Sequence, residues 1–235
     1  MGINGFFNLV KKYASTSIEP IGTQLNGKVI AVDIAIWLHQ FAKTNYDTIT
    51  SSIIEDTYVE GIIGRCDLLR SCGAHPILVF DGPAPIHKRH ELVKRRQTEA
   101  KLKENALSEP DVEKRNTRLR QCARPTPELV QRTKTELTSL GFAVMSAPGE
   151  GEACCAELCK TGHVWGVLSE DTDTLVFGAP RMIRNFNATS VRTGEVQLVS
   201  LLKILNEMDL EPQEFVDLCI LCGCDYCQNI PRIGI

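Results

Sequence analysis

The sequence predicts an α/β fold, a central, mostly parallel sheet flanked by helices. Three features carry that expectation. Short apolar runs rich in β-branched residues recur at 29–32, 77–80 and 164–168, the pattern of strands buried on both faces of a parallel sheet. Segments of helical periodicity separate them, as where Val59, Ile62, Ile63, Cys66 and Leu69 recur before Gly73. Carboxylates stand where the apolar runs stop: Asp33, Asp81, the pair Asp171 and Asp173, and Asp225 after the run 218–221. Open α/β sheets bind ligands at the carboxyl ends of their strands.

In chain order, residues 2–5 read as a loop feeding a short amphipathic helix. A strand is expected near 28–33 and a helix from about Ala35. Residues 44–56 are polar and read as a loop; the helix ending at Gly73 and a strand at 76–80 follow. Asp81-Gly82-Pro83-Ala84-Pro85 breaks regular structure. Beyond it lies a long charged segment, about 86–124, with few apolar residues. Thr126 and Pro127 suit the cap and first position of a helix that stops at Gly141. A strand near 142–146 leads through Pro148 and Gly149 into a helix ending near Gly162. Glu150 and Glu152 would sit at its start. Residues two apart do not share a helix face, so both reach one site only from an irregular first turn, which Gly149 and Gly151 would permit. Strands near 164–168, 181–185 and 195–199, then helices from Ser200 and Pro212, complete the pattern, the last helix ending at Gly223. The sequence stops at Pro231-Arg232-Ile233-Gly234-Ile235 without a closing element, and the natural protein is expected to continue.

With 235 residues the chain can bury a sizeable core. No apolar stretch is long enough to cross a membrane. Lys11 and Lys12 interrupt any leader pattern, and position 6 is Phe where an N-myristoylation motif needs Ser or Thr. An intracellular protein is expected. Its 10 cysteines then read as reduced thiols, several inside apolar runs. Cys219, Cys222, Cys224 and Cys227 lack the long spacer between pairs that structural zinc sites use. The net charge of −3 hides an uneven distribution: residues 87–124 carry twelve Lys or Arg against six Asp or Glu. Such a run is usually a solvated helical face. Its place directly after Asp81 points instead to a basic gateway contacting a nucleic-acid backbone.

A lone Asp after a strand is usually a turn residue or a helix cap. Repetition after several strands, twice as an acid-x-acid pair, points to convergence. Converged carboxylates repel one another unless cations neutralise them, and an all-oxygen set suits magnesium or manganese. Asp33, Asp81, Glu150, Glu152, Asp171, Asp173 and Asp225 are the candidate ligands.

With these residues placed, the chain resembles the flap endonuclease branch of the XPG-like structure-specific 5′ nucleases over essentially its whole length. The carriers are Met1-Gly2-Ile3-x-Gly5, Val79-Phe80-Asp81-Gly82, and Glu150-x-Glu152 after Ala147-Pro148. Ser169-Glu170-Asp171-Thr172-Asp173, and Phe215-Val216-Asp217-Leu218-Cys219-Ile220-Leu221 running into Gly223-Cys224-Asp225-Tyr226, complete them. The resemblance implies a PIN-like nuclease fold with a helical arch over the active site. It implies a single nuclease domain spanning 1–235: an N-terminal region 1–83, a basic arch insertion 84–125 and an internal region 126–235. Asp33, Asp81, Glu150 and Glu152 match the ligands of one metal. Asp171, Asp173 and Asp225 match those of a second, with Glu152 as a bridge. The cofactors would be two Mg2+, or Mn2+, about 4 Å apart. Lys88 and Arg95 match the family's two catalytic basic residues, and Gly2 a residue packed against DNA. Arg89, Arg96 and Arg118 of the arch are further candidate DNA contacts. Gly234-Ile235 resembles the start of a helix–two-turn–helix that grips duplex with K+; the rest of that motif, and any tail for a sliding clamp, is absent from the sequence.

The activity so implied is a 5′ flap endonuclease cutting branched or flapped DNA at single-strand/duplex junctions in replication or repair, as a monomer, in the nucleus or at replication sites. Two features depart from the pattern. His39 stands where flap endonucleases carry a stacking Tyr and the exonuclease branch carries His, which keeps a 5′→3′ exonuclease as the alternative. Glycines at 149 and 151 replace the commoner Ser and Ala, which predicts a looser turn there. A catalytically silent DNA-binding scaffold is the third reading; the seven acids, Lys88 and Arg95 argue against it. Ser108, Glu109 and Pro110 mark the arch tip, expected to be weakly ordered without DNA.

Overall fold

The structure, a computed structural model, describes residues 2, 3 and 5–226, apart from the side chains of residues 87 and 89–92. The Arg89 side chain and Gly234-Ile235, with the potassium-binding motif expected there, lie outside the described residues.

The chain begins with α1 (Phe6–Tyr13), β1 (Ile18–Pro20), β2 (Val29–Asp33), α2 (Ala35–Thr44), β3 (Tyr46–Asp47), β4 (Ser52–Ile53), α3 (Glu55–Ser71) and β5 (His75–Phe80). Two long helices follow, α4 (Arg89–Leu107) and α5 (Val112–Gln121). Then come α6 (Pro127–Ser139), β6 (Ala143–Ser146), α7 (Gly151–Lys160), β7 (Gly166–Leu168), α8 (Asp173–Val176), β8 (Arg181–Arg184), α9 (Ala188–Thr193), β9 (Gln197–Ser200), α10 (Leu201–Met208) and α11 (Pro212–Cys222).

The main sheet runs β1-β9-β8-β7-β2-β5-β6. Strands β8, β7, β2, β5 and β6 pair in parallel; β9 is antiparallel to β8, and β1 to β9. Alternation along the strands sorts side chains onto two faces. Ile30, Val32, Leu78 and Leu168 pack with Trp37, Tyr58, Ile62 and Leu137 from α2, α3 and α6. Ala31, Val79 and Val167 pack on the other face with Cys155 and Cys159 of α7. A third cluster joins α1, α10 and α11 to β8 and β9 through Phe6, Val10, Met182, Val199, Ile204 and Phe215. Both faces of the central strands are buried, which is why they read as unbroken apolar runs.

The expected caps form. Thr126 Oγ1 accepts from the Leu129 N–H at 3.2 Å, and Ser200 Oγ from that of Lys203 at 3.4 Å. Strand β1, the β3–β4 hairpin and the short helices α8 and α9 were not legible. Strand β1 is three residues at a sheet edge, where Pro20 is tolerated. The polar stretch read as a loop holds the β3–β4 hairpin, with Asp47 accepting from the Ile49 N–H and the Thr50 hydroxyl, both at 2.9 Å. The charged segment, expected to be helical, forms the pair α4 and α5. Its tip is fastened by Asp111, whose side chain caps α5 through the Glu113 and Lys114 N–H groups, and by an Arg118–Glu109 ion pair of 2.8 Å.

Candidate metal and DNA-processing site

The parallel strands bring their acids to one edge of the sheet. Asp33 is the last residue of β2, in register with Val79 of β5. Asp81 follows the end of β5, and the turn after β6 carries Glu150. Asp171 lies between β7 and α8, and Asp225 arrives just past α11. Asp33, Asp81, Glu150, Glu152, Asp171 and Asp225 line one cavity of about 220 Å³, together with His39, Lys88 and Arg95. Asp173 does not line it. Its first position in α8 holds it buried beside the wall.

The two glutamates reach the cavity for a reason other than the one expected. Glu150 is the N-cap of α7, with extended backbone (φ −75°, ψ 138°), and so lies outside the helical screw. Glu152 lies in the first turn. Neither Gly149 nor Gly151 has positive φ, so backbone freedom is not their contribution. Gly151 contributes space: its N–H donates to Asp81 Oδ1 at 2.7 Å, and a Cβ there would stand 2.9 Å from the same oxygen. The expected looser turn is thus a close contact at Gly151. Gly82 is similarly constrained, since its N–H donates to the Gly149 carbonyl at 2.7 Å and a Cβ would meet the Ala147 carbonyl at 2.2 Å.

Side chains between the acids hold them in place. Ser169 Oγ donates to Asp33 Oδ2 at 3.0 Å and accepts from the Asp171 N–H at 3.0 Å. The Asp173 N–H donates to Asp171 Oδ1 at 3.1 Å. The Tyr226 hydroxyl donates to Glu150. Motif reading passed over the roles of Ser169 and Tyr226, although each lies within a quoted motif; an isolated hydroxyl gives no signal of which strand end it will meet.

Two cations sit among the acids. Lys88 Nζ lies 2.5 Å from Glu150, 3.1 Å from Glu152 and 3.6 Å from Asp225. Arg95 pairs with Asp225. Burial works against the Lys88 ammonium, but the charges of Glu152 and Glu150 outweigh it and hold its pKa above the usual lysine value. The acids remain under-compensated. Burial, then the charges of Asp171 and Asp33, push Glu152 up to about 8 despite Lys88. Burial and then the Asp81 charge push Asp33 up to about 7, against its hydrogen bonds from Ser169 and Ala35. Burial, then Asp171 and Asp225, raise Asp173 to about 7. Both Asp173 carboxylate oxygens are buried without a hydrogen-bond partner.

Among the described residues no three ligand-type side chains are already gathered at metal-binding distance; the lysine lies among them instead. The donor set nonetheless fits hard divalent cations. It is all oxygen, it is short of positive charge, and it includes a buried carboxylate whose two oxygens bond nothing.

This fit has a pH signature. A carboxylate whose folded pKa lies above its unfolded value favours the protonated form. Its contribution to stability is complete below the unfolded value of about 4 and is lost as pH rises through the folded one. For Asp33, Asp173 and Glu152 that window runs up to about 7 and about 8. The gap in Tm between protein in Mg2+ and protein in chelator is therefore expected to keep widening up to pH 8. A gap that saturates by pH 5, where ordinary carboxylates are already ionised, would contradict the assignment; thermal melts across that range decide it.

Beside the acid cavity a basic cleft opens between α2, α4 and α5, lined by Lys43, Lys94, Arg95, Arg96 and Arg124 among others. His39 lines both spaces. Its Nδ1 has no partner; burial, and then the charges of Arg124 and Lys43, hold the imidazole below its ordinary pKa. Arg96 is exposed on the cleft. Arg118 is at the far tip, paired with Glu109. Gly2 packs against Thr172 and Asp171.

Two sequence profiles of one family match the chain, the XPG N-terminal domain over residues 1–102 and the XPG I-region over 141–225. The chain belongs to the XPG-like nuclease family. The I-region match covers five of the seven acids, and the N-terminal match the other two with Lys88 and Arg95. Curated relatives agree. Flap endonuclease 1 of Cryptosporidium muris is 36% identical over 252 residues, covering 100% of this chain and 53% of its own. That of Entamoeba histolytica is 35% identical, covering 100% and 65%. The chain thus spans about half to two thirds of these relatives. Among solved structures, the catalytic core of Rad2 in complex with DNA substrate is 25% identical with a TM-score of 0.76, over 99% of this chain and 66% of that one. Flap endonuclease-1 from Methanococcus jannaschii is 26% identical with a TM-score of 0.68, over 92% and 71%. The XPG-like fold accounts for the mostly parallel sheet with its acids at one edge.

Proposed function

We propose that this chain is the nuclease core of a metal-dependent 5′ flap endonuclease, hydrolysing DNA phosphodiesters where single strand meets duplex in replication or repair. The observation that carries this is a single cavity lined by six acids from the ends and starts of separate strands and helices, opening beside a basic helical pair. Asp33, Asp81, Glu150 and Glu152, with Asp171, Asp173 and Asp225, would hold two Mg2+ or Mn2+ ions. Such ions, when bound, polarise the scissile phosphate and lower the pKa of the attacking water.

The chain's own groups supply the rest. Ser169, Tyr226 and the Gly151 N–H orient the carboxylates. Lys88 and Arg95, at the base of α4, place positive charge where the transition state gains negative charge, Lys88 as a point charge and Arg95 as a planar fork. Lys43, Lys94, Arg96 and Arg124 offer the cleft to phosphates. Contacts of that kind position a strand without reading its bases, so selection is for shape over sequence. Branched DNA is the partner; a sliding clamp reached through a further C-terminal segment, a monomeric state and action in the nucleus or at replication sites belong to the same reading.

His39, at the border between the acid cavity and the cleft, favours a second reading, a 5′→3′ exonuclease. Labelled double-flap DNA incubated with Mg2+ or chelator separates them. Metal-dependent release of an intact flap supports the endonuclease. A ladder of mononucleotides moves the assignment to the exonuclease, and binding without cleavage would leave a silent scaffold.

A further inference from the structure

The first residues of the chain do more than precede α1. Ile3 is buried in the cluster that joins α1 to α8 and α11. Its N–H donates to Thr172 Oγ1 at 2.7 Å, a buried bond spanning 169 residues of sequence. Thr172 is the N-cap of α8, the position whose hydroxyl ordinarily caps its own helix; here it makes no such bond and receives Ile3 instead. Gly2 has φ +84°, in the left-handed region that favours glycine. A Cβ at Gly2 would lie 2.2 Å from Thr172 Oγ1, 2.6 Å from Asp171 Oδ1 and 2.9 Å from the Thr172 nitrogen. Asp171 Oδ1 is the same atom that accepts the Asp173 N–H.

We propose that Gly2 and Ile3 form a strap that positions the Asp171-Thr172-Asp173 turn, making Gly2 a positioning residue for the divalent-cation site. The inference rests on the reading that these acids hold cations. Residue 2 cannot carry a side chain without displacing the Asp171 carboxylate or the Thr172 hydroxyl. The Ile3 main chain pins the turn through its bond to the Thr172 hydroxyl. The strap acts through backbone, which separates it from the apolar anchoring that the Ile3 side chain gives the fold. Groups that orient metal ligands are commonly worth about ten- to a hundred-fold in metal affinity.

The test is direct Mn2+ binding by the full chain, followed by electron paramagnetic resonance of the free ion, with Tm measured in chelator for each variant. Gly2→Ala is expected to weaken Mn2+ affinity by about ten-fold or more. Ile3→Ala, which keeps the N–H, is expected to lower Tm while leaving Mn2+ affinity within about two-fold of wild type. Thr172→Ser keeps the hydroxyl and should retain affinity; Thr172→Val should lose it as Gly2→Ala does. Wild-type affinity in Gly2→Ala overturns the strap. So does a loss of affinity that merely tracks Tm across all four variants. Wild-type protein that takes up no Mn2+ would overturn the metal reading itself.

Discussion

Asp173→Ala is expected to abolish cleavage, with turnover falling on the order of a thousand-fold, while binding of branched DNA in chelator stays near wild type. Asp173 is buried beside the acid cavity and away from the basic cleft, so its loss removes no phosphate contact. Its two oxygens have no hydrogen-bond partner, and burial with the Asp171 and Asp225 charges disfavours its ionised form. An unsatisfied buried group costs roughly 1–3 kcal/mol. Removing it should therefore hold or raise the Tm measured in chelator, a direction opposite to that of most buried substitutions. Cleavage assays, DNA-binding titrations and melts on one preparation test all three statements. Retained turnover would sink the assignment of Asp173 as a ligand. A large fall in metal-free Tm would show that the carboxylate has a structural partner.

Lys88→Ala is expected to lose cleavage by roughly a hundred- to a thousand-fold, yet to bind divalent cations more tightly. The Lys88 ammonium is within 3.6 Å of Glu150, Glu152 and Asp225, and so neutralises the same oxygens that cations would. It has to yield before they are taken up. Deleting a competitor strengthens the other ligand by the work formerly needed to displace it. The same deletion strips the acids of their buried counter-charge, which typically costs about 3–5 kcal/mol, so the metal-free protein should melt well below wild type and recover most of the difference in Mn2+. Arg95, more exposed and paired with Asp225, should show the same pattern more weakly. Calorimetric Mn2+ titration of Lys88→Ala decides the point; unchanged or weaker affinity would mean that the ammonium and the cations occupy separate places.

These expectations show how the site was encoded. Strands buried on both faces, such as 30–32 and 78–80, announce themselves by unbroken apolar runs because no residue there faces water. The acids ending those runs could be named because a carboxylate at a strand terminus has a known direction. Asp33, Asp81 and Asp171 needed only the expectation of parallel pairing to be placed together; Asp225, just past α11, is named by the family motif. Glycines 149 and 151 were read as giving backbone freedom; neither has positive φ, and Gly151 alone gives clearance, against Asp81, which depends on what lies opposite and has no local signature. Strand β1 and the β3–β4 hairpin are too short to display a period.

Local chemistry by itself therefore determined the α/β class, the strand ends, the helix starts at Thr126 and Ser200, the basic segment after Asp81 and the set of candidate ligands. Those follow from hydrophobic period, capping and charge along the chain. Only the tertiary structure decided that Lys88 lies among the acids, that Asp173 stands beside the cavity and not on its wall, that Ser169 and Tyr226 orient Asp33 and Glu150, and that the first residues bind the turn at Thr172. Each of these depends on groups far apart in sequence being brought together. Its strength depends on burial and on distances of a few ångströms, which exist only once the sheet has closed and water has been excluded.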